Sequence, residues 1–172
     1  MISRSCKDCV QFHVCSREVG GLDTEAVDCH LYKRAMTKKQ FYSLSFTWGL
    51  PMTVAGLISA CVLFCFGFRP NTYGRCIHFT VGKKWGGVSL GIVMITSENA
   101  SENTKNHEHG HALQNCKYGL LMPLLSVLSV IRYWYRRIMK SKGRELKTAY
   151  DDFWFEGQAT KWGTQYVQNL TH

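Results

Sequence analysis

The chain has 172 residues, of which 45% are hydrophobic and only three are proline. This composition excludes a disordered chain, and the length allows one domain with short appendages. The formal net charge of +9 would suit either nucleic acid or anionic lipid headgroups. The basic residues cluster at 33–39 and 132–147, beside apolar segments, without the basic–aromatic alternation that follows a nucleic-acid strand. We therefore expect membrane lipid, and no nucleic acid, as a partner.

Residues 1–32 form a polar, cysteine-rich head. Its four cysteines are Cys6, Cys9, Cys15 and Cys29. Four thiolates in so short a segment suit one closed structural zinc site, in which His13 or His30 could replace a cysteine. No apolar signal segment opens the chain, which favours reduced thiols, although two disulfides or an Fe–S cluster are alternatives. The head is too small to carry a core, so a metal would have to organise it. We interpret it as a docking or sensing element.

A basic collar at residues 33–40 precedes an uncharged, apolar run at residues 41–68. This run is longer than the roughly 20 residues that a helix needs to cross a bilayer. Tyr42 and Trp48 near its start are typical of the membrane–water interface. Pro51 would either kink the helix or mark its true start. We predict a transmembrane helix at 41–68 and a membrane location, with the number of crossings left open.

The following segments mix strand and helix signals. Glycine-rich turn signals at residues 69–87 lead into a run of branched residues at 87–96, which predicts a β-strand. A polar connector then offers several helix N-caps, Thr104 among them, before a helix that we expect at residues 106–116.

Two more helices are predicted in the last third of the chain. The apolar segment at residues 119–131 is too short to span a bilayer and indicates a core, re-entrant or interfacial helix. Aromatic and small residues at helical spacing predict a closing helix within residues 149–167.

The segment KNHEHGHALQNC, residues 105–116, contains an H-E-x-x-H arrangement of His107, Glu108 and His111. Residues four apart lie on one face of a helix, so both imidazoles can bind one Zn²⁺. Glu108 can then contact a metal-bound water and take its proton as general base. Gly110 costs the helix about 1 kcal/mol relative to alanine, so a factor other than helix stability would hold it there, and close approach of another backbone is one explanation. The alternative is a solvated turn with an incidental histidine pair.

A catalytic zinc site needs a third protein ligand and one open position. The residue types alone leave several candidates: His78, Cys116, Asp151, Asp152 and Glu156.

The H-E-x-x-H helix, followed by Glu156 and Ala159, resembles the gluzincin branch of the zincin metallopeptidases, in particular its membrane-bound members. The resemblance covers residues 85–163 and implies Glu156, in an E-x-x-A pattern on a later helix, as the third ligand. Several of those families carry aspartate after the alanine to orient a ligand histidine. This chain has Thr160 there, which could still form a hydrogen bond.

The same resemblance implies two features of the substrate cleft. The strand before the active-site helix, matched by residues 88–95, would pair with an extended substrate. A further group would stabilise the oxyanion, and the candidates are His109, Tyr118 and Tyr150.

The sequence therefore predicts an α+β fold. A small zincin-like domain at residues 69–172, with a short hairpin or sheet, an active-site helix and a glutamate-bearing helix, would follow the head, the collar and the transmembrane helix. The expected function is a membrane-anchored zinc metallopeptidase acting on a peptide or protein substrate, with a second, structural Zn²⁺ in the head. A non-catalytic metal-binding membrane adaptor, and a membrane-active protein with incidental histidines, are the alternatives.

Overall fold

The computed structural model describes residues 36–144 and 153–170. The fold is α+β, as predicted. Its elements in chain order are helices α1 (Lys38–Phe46) and α2 (Leu50–Cys65), strands β1 (Asn71–Tyr73), β2 (Cys76–Thr80), β3 (Gly87–Leu90) and β4 (Val93–Thr96), helix α3 (Glu102–Tyr118), a 3₁₀ turn (Gly119–Leu121), and helices α4 (Met122–Ser141) and α5 (Trp154–Leu170).

Some sequence predictions fall outside the described residues. The structural zinc site in the head, with Cys6, Cys9, Cys15 and Cys29 as ligands, is one of these and stays a prediction. Tyr150, Asp151 and Asp152 lie outside them as well.

The prediction of a helix over residues 41–68 is wrong in its bounds, and Pro51 lies at a helix start, one of the two roles considered for it. The chain forms α1 and α2 instead, bent by 93° at the short break between them. Gly49 is the N-cap of α2, and Pro51 lies in its first turn, where a proline costs no backbone hydrogen bond. Asn115 of α3 lies against the break and donates from Nδ2 to the carbonyl oxygen of Gly49 at 3.2 Å. A side chain at Gly49 would collide with Asn115. The bend therefore depends on a contact distant in sequence.

The strands form a mixed sheet in the order β1-β2-β4-β3, in which β2 and β4 are parallel. The single strand predicted at residues 87–96 is a hairpin, because Gly91 turns the chain between β3 and β4 at a φ of 62°. Glycine adopts this left-handed conformation without steric cost. Among the described residues β3 is an edge strand, so one side of its backbone has no neighbouring strand.

Helix α3 lies between the sheet and α5, and the helix predicted at residues 106–116 is confirmed with longer bounds. It begins after Ser101, whose Oγ accepts a hydrogen bond from the backbone N–H of Thr104 at 3.2 Å. Leu113 and Cys116 on its inner face pack against Phe79 and Met94 of the sheet in the main hydrophobic core. The core thereby fixes the rotation of α3 and the directions in which its histidines point.

Helix α4 continues the line of α3 through the 3₁₀ turn, so the apolar segment at residues 119–131 extends into a 20-residue helix. The continuous helical stretch Glu102–Ser141 is long and apolar enough to cross a membrane, judged by length and composition. The bent α1–α2 pair passes the same test when it is counted as one span. Within α4 only Met122 and Ser129 are buried. Large apolar side chains are exposed along it, including Leu124, Val127, Leu128, Ile131 and Trp134.

Candidate metal centre

Helices α3 and α5 cross in backbone contact because small residues line the crossing. A Cβ atom at Gly110 would overlap the carbonyl oxygen of Ala159, and one at Gly163 would overlap the carbonyl oxygen of Asn106. Another backbone therefore approaches Gly110, which is the explanation considered from the sequence. The crossing brings Glu156, almost one turn before Ala159, against the histidine face of α3.

His107, His111 and Glu156 converge on one point. The two Nε2 atoms lie 3.1 Å apart, and Glu156 Oε2 lies 3.0 Å from His107 Nε2 and 3.3 Å from His111 Nε2. A tetrahedral ion with ligand distances of about 2.0–2.1 Å holds its ligand atoms about 3.3 Å apart. The triangle is therefore close to the size that one ion requires, and these three residues could hold a metal ion.

The tautomer of His111 follows from its neighbours. Its Nδ1 lies 2.8 Å from Gln114 Oε1, and the amide is oriented because Gln114 Nε2 donates to the carbonyl oxygen of Phe155 at 2.7 Å. An amide oxygen can only accept a hydrogen bond, so His111 Nδ1 carries a proton, and Nε2 is the ring nitrogen left to bind a metal ion. His111 Nε2 faces the Nε2 of His107 and the carboxylate of Glu156.

His107 is held in a similar way by Thr160. His107 Nδ1 lies 2.8 Å from Thr160 Oγ1, which confirms that a threonine at this position can form the hydrogen bond. An imidazole that donates from Nδ1 to an oxygen is the usual arrangement of a metal-binding histidine. Both histidines are thus oriented through the ring nitrogen that faces away from the triangle.

The triangle needs a positive charge at its centre. Among the described residues, buried Glu156 Oε2 can receive a hydrogen bond only from His107 Nε2 or His111 Nε2, and only when that nitrogen carries a proton. Burial raises the pKa of Glu156, but contacts with His107 and His111 outweigh it and lower the pKa to about 2. A carboxylate oxygen and two lone pairs about 3 Å apart repel one another unless protons or a metal ion lie among them. The donor set of two imidazoles and a carboxylate fits zinc.

Glu108 lies beside the triangle and is not part of it. Its buried carboxylate packs under Gly87, the first residue of β3, where a Cβ atom would lie 2.7 Å from Glu108 Cγ. Burial raises the pKa of Glu108, and the two neighbouring imidazoles only partly offset this. The Glu108 carboxylate thus lies between the edge strand and the group that could hold a metal ion.

Other residues considered from the sequence have different partners. His78 Nε2 lies 2.8 Å from Thr96 Oγ1 within the sheet, and Cys116 Sγ lies 3.4 Å from Ser45 Oγ in the core. His109 Nε2 accepts a hydrogen bond from the backbone N–H of Arg75 at the β1–β2 turn. None of the three belongs to the group that could hold a metal ion among the described residues.

Tyr118 belongs to an amide network next to the site. Its hydroxyl donates to Gln158 Oε1 at 2.8 Å, and Gln158 Oε1 also accepts from Gln114 Nε2 at 3.2 Å. The hydroxyl is therefore engaged in supporting the Gln114 amide that orients His111. Sequence reasoning missed this role of Gln114, although its position three residues after His111 on one helix face was a usable signal.

Sequence reasoning also missed Ser129, whose hydroxyl contacts Glu156 Oε1. Ser129 lies in an apolar run and far from Glu156 in sequence, so no local pattern marks it. Comparisons with protein-family models, curated proteins and solved structures gave no match to this chain.

Proposed function

We propose that this protein is a zinc-dependent metallopeptidase attached to a membrane. The observation that carries the proposal is the triangle of His107 Nε2, His111 Nε2 and Glu156 Oε2, with sides of 3.0 to 3.3 Å and a buried glutamate beside it. Three protein ligands with a fourth position left for water are typical of catalytic zinc, whereas structural zinc has four protein ligands. The resemblance to gluzincins supplies the reaction class.

The chain's own residues account for proton transfer and substrate alignment. When bound, zinc supplies a Lewis acid that lowers the pKa of a coordinated water towards neutrality. Glu108 accepts a proton from the attacking water at its carboxylate and then delivers it to the leaving amine nitrogen. Burial raises the pKa of Glu108, which favours uptake of the proton by its carboxylate. The edge strand β3 can hold an extended peptide by backbone hydrogen bonds, with the exposed Val88 beside it.

Removal of the metal is the direct test of the enzyme. Hydrolysis of an unfolded protein substrate is expected to stop with the chelator 1,10-phenanthroline and to continue with its non-chelating 1,7 isomer. Adding back one equivalent of Zn²⁺ should restore activity, because the apo triangle keeps its oriented histidines. Hydrolysis that persists after the metal has been removed would contradict the proposal. Zinc binding without hydrolysis of any substrate in a mixed peptide library would favour the adaptor.

We further propose that α2 and α4 hold the chain in the membrane. Apolar side chains such as Ile58 and Phe64 on α2, and Leu124 and Ile131 on α4, are exposed in the structure. The second half of α4 is basic, which suits anionic lipid headgroups. Its basic residues are Arg132, Arg136, Arg137 and Lys140.

The membrane attachment predicts resistance to alkaline carbonate. The full-length protein is expected to stay in the membrane pellet, because hydrophobic contact with lipid does not depend on surface charge. The double variant Leu124→Glu/Ile131→Glu, at exposed positions of α4, should move protein into the supernatant. Complete release of the wild-type chain by carbonate would mean that these helices are covered by protein.

A further inference from the structure

The two carboxylate oxygens of Glu156 have different surroundings. Oε2 faces His107 and His111, whereas Oε1 accepts a hydrogen bond from the hydroxyl of Ser129 on α4. We propose that Ser129 is a positioning residue for Glu156, which presents Oε2 to the metal and ties the metal centre to the apolar helix α4. This inference rests on the metal site of the proposed function.

The burial of Ser129 singles it out on its helix. It is 7% exposed, whereas Ser126, almost one turn earlier, is half-buried. A hydroxyl in an apolar, mostly exposed helix is costly to bury unless it has a hydrogen-bond partner. The carboxylate of Glu156 is such a partner, because an ionised acceptor makes a stronger hydrogen bond than a neutral one.

The contact restricts how Glu156 can bind a metal. A carboxylate with both oxygens free can rotate, or ligate through either oxygen. With Oε1 engaged by the hydroxyl, the group is held in one rotation and Oε2 alone points into the triangle. Hydrogen-bond partners of this kind orient metal ligands, and removing one commonly lowers metal affinity by about 10–100-fold.

Ser129 can also contact Glu156 only while α4 is packed in this position, so the complete site depends on the placement of α4. Met122 and Ser129 are the buried residues of α4, so few side chains hold this helix against the other described elements. Ser129 is thus the point at which the apolar helix reaches a predicted metal ligand.

The test compares zinc affinities of matched serine variants of the full-length protein in detergent. Ser129→Ala is expected to lower the affinity for the exchangeable zinc by about 10–100-fold. Ser129→Thr should retain most of the affinity because it keeps the hydroxyl. Ser126→Ala should bind zinc as tightly as the wild type. Affinity is measured by competition with a chromophoric chelator. His111→Ala provides the baseline for metal held by the head.

Two further readouts separate positioning from general damage to the fold. The thermal midpoint in EDTA reports whether each apo variant is folded, and the visible spectrum of the Co²⁺-loaded protein reports the ligand arrangement. Ser129→Ala should change the Co²⁺ spectrum, and Ser129→Thr should restore it. A folded Ser129→Ala protein with wild-type zinc affinity and Co²⁺ spectrum would overturn the proposal. So would a folded Ser129→Thr protein whose zinc affinity is as low as that of Ser129→Ala.

These measurements also separate the inference from the enzymatic proposal. A lower zinc affinity in Ser129→Ala, together with a wild-type protein that hydrolyses no peptide, would support the positioning role of Ser129 and refute the proposed peptidase activity. A wild type that takes up no more zinc than His111→Ala would refute both.

Discussion

Replacement of Glu108 by glutamine is expected to lower peptide hydrolysis by about 10²–10⁴-fold, the effect typical of removing a general base, while bound zinc stays unchanged. Glu108 is not part of the triangle formed by His107, His111 and Glu156. Glutamine has nearly the same volume, so the packing under Gly87 is preserved. Its amide cannot accept the proton of the attacking water, so only the chemical step is affected.

The measurement is zinc content beside kcat/KM, in detergent or lipid. Glu102→Gln is the matched control on the same helix, because Glu102 is exposed and paired with Lys105. It should keep both zinc and activity. Full activity in Glu108→Gln would refute the peptidase mechanism. Loss of zinc in that variant would show that Glu108 is a ligand, and the metal-binding adaptor would then be the better interpretation.

The parts of the site that follow from local spacing could be predicted from the sequence. His107 and His111 share a helix face at any H-E-x-x-H, and the helix signals around residues 106–116 were strong. Close approach of another backbone was one explanation for Gly110 in the helix, and the structure places the backbone of Ala159 there. Glu156 was one of several possible ligands by residue type, and only the family resemblance ranked it first.

The parts that depend on contacts between distant segments could not be predicted. Pro51 indicated a kink or a helix start near the bend between α1 and α2, but the contact of Asn115 with Gly49 at the bend cannot be read from the apolar run. Strands β1 and β2 are short and lie among glycine turns, so the pairing of β2 with β4 and of β1 with β2 decides their structure. Ser129 reaches Glu156 only because α4 contacts α5 at this point.

Replacement of Glu156 by glutamine is expected to remove the exchangeable zinc and abolish hydrolysis. The amide keeps the volume of the side chain and an oxygen that can still accept from Ser129. However, it removes the negative charge that balances a dication between two neutral imidazoles, and an amide oxygen is a weaker zinc ligand than a carboxylate. We expect the affinity to fall by more than the roughly 10–100-fold that follows loss of an outer hydrogen bond.

Zinc-dependent stabilisation measures this loss without any substrate. A ligand at about 1,000 times its Kd raises the free energy of unfolding by about 4 kcal/mol, so the thermal midpoint of the wild type should rise on addition of Zn²⁺. The rise should be absent in Glu156→Gln and present in Glu98→Gln, which changes an exposed glutamate near Lys83. Any zinc bound by the head would persist in both variants, so the Glu156→Gln protein would bind one zinc fewer than the wild type. A Glu156→Gln protein with the wild-type rise would exclude Glu156 as a ligand, because charge and ligand strength would then have no effect on binding.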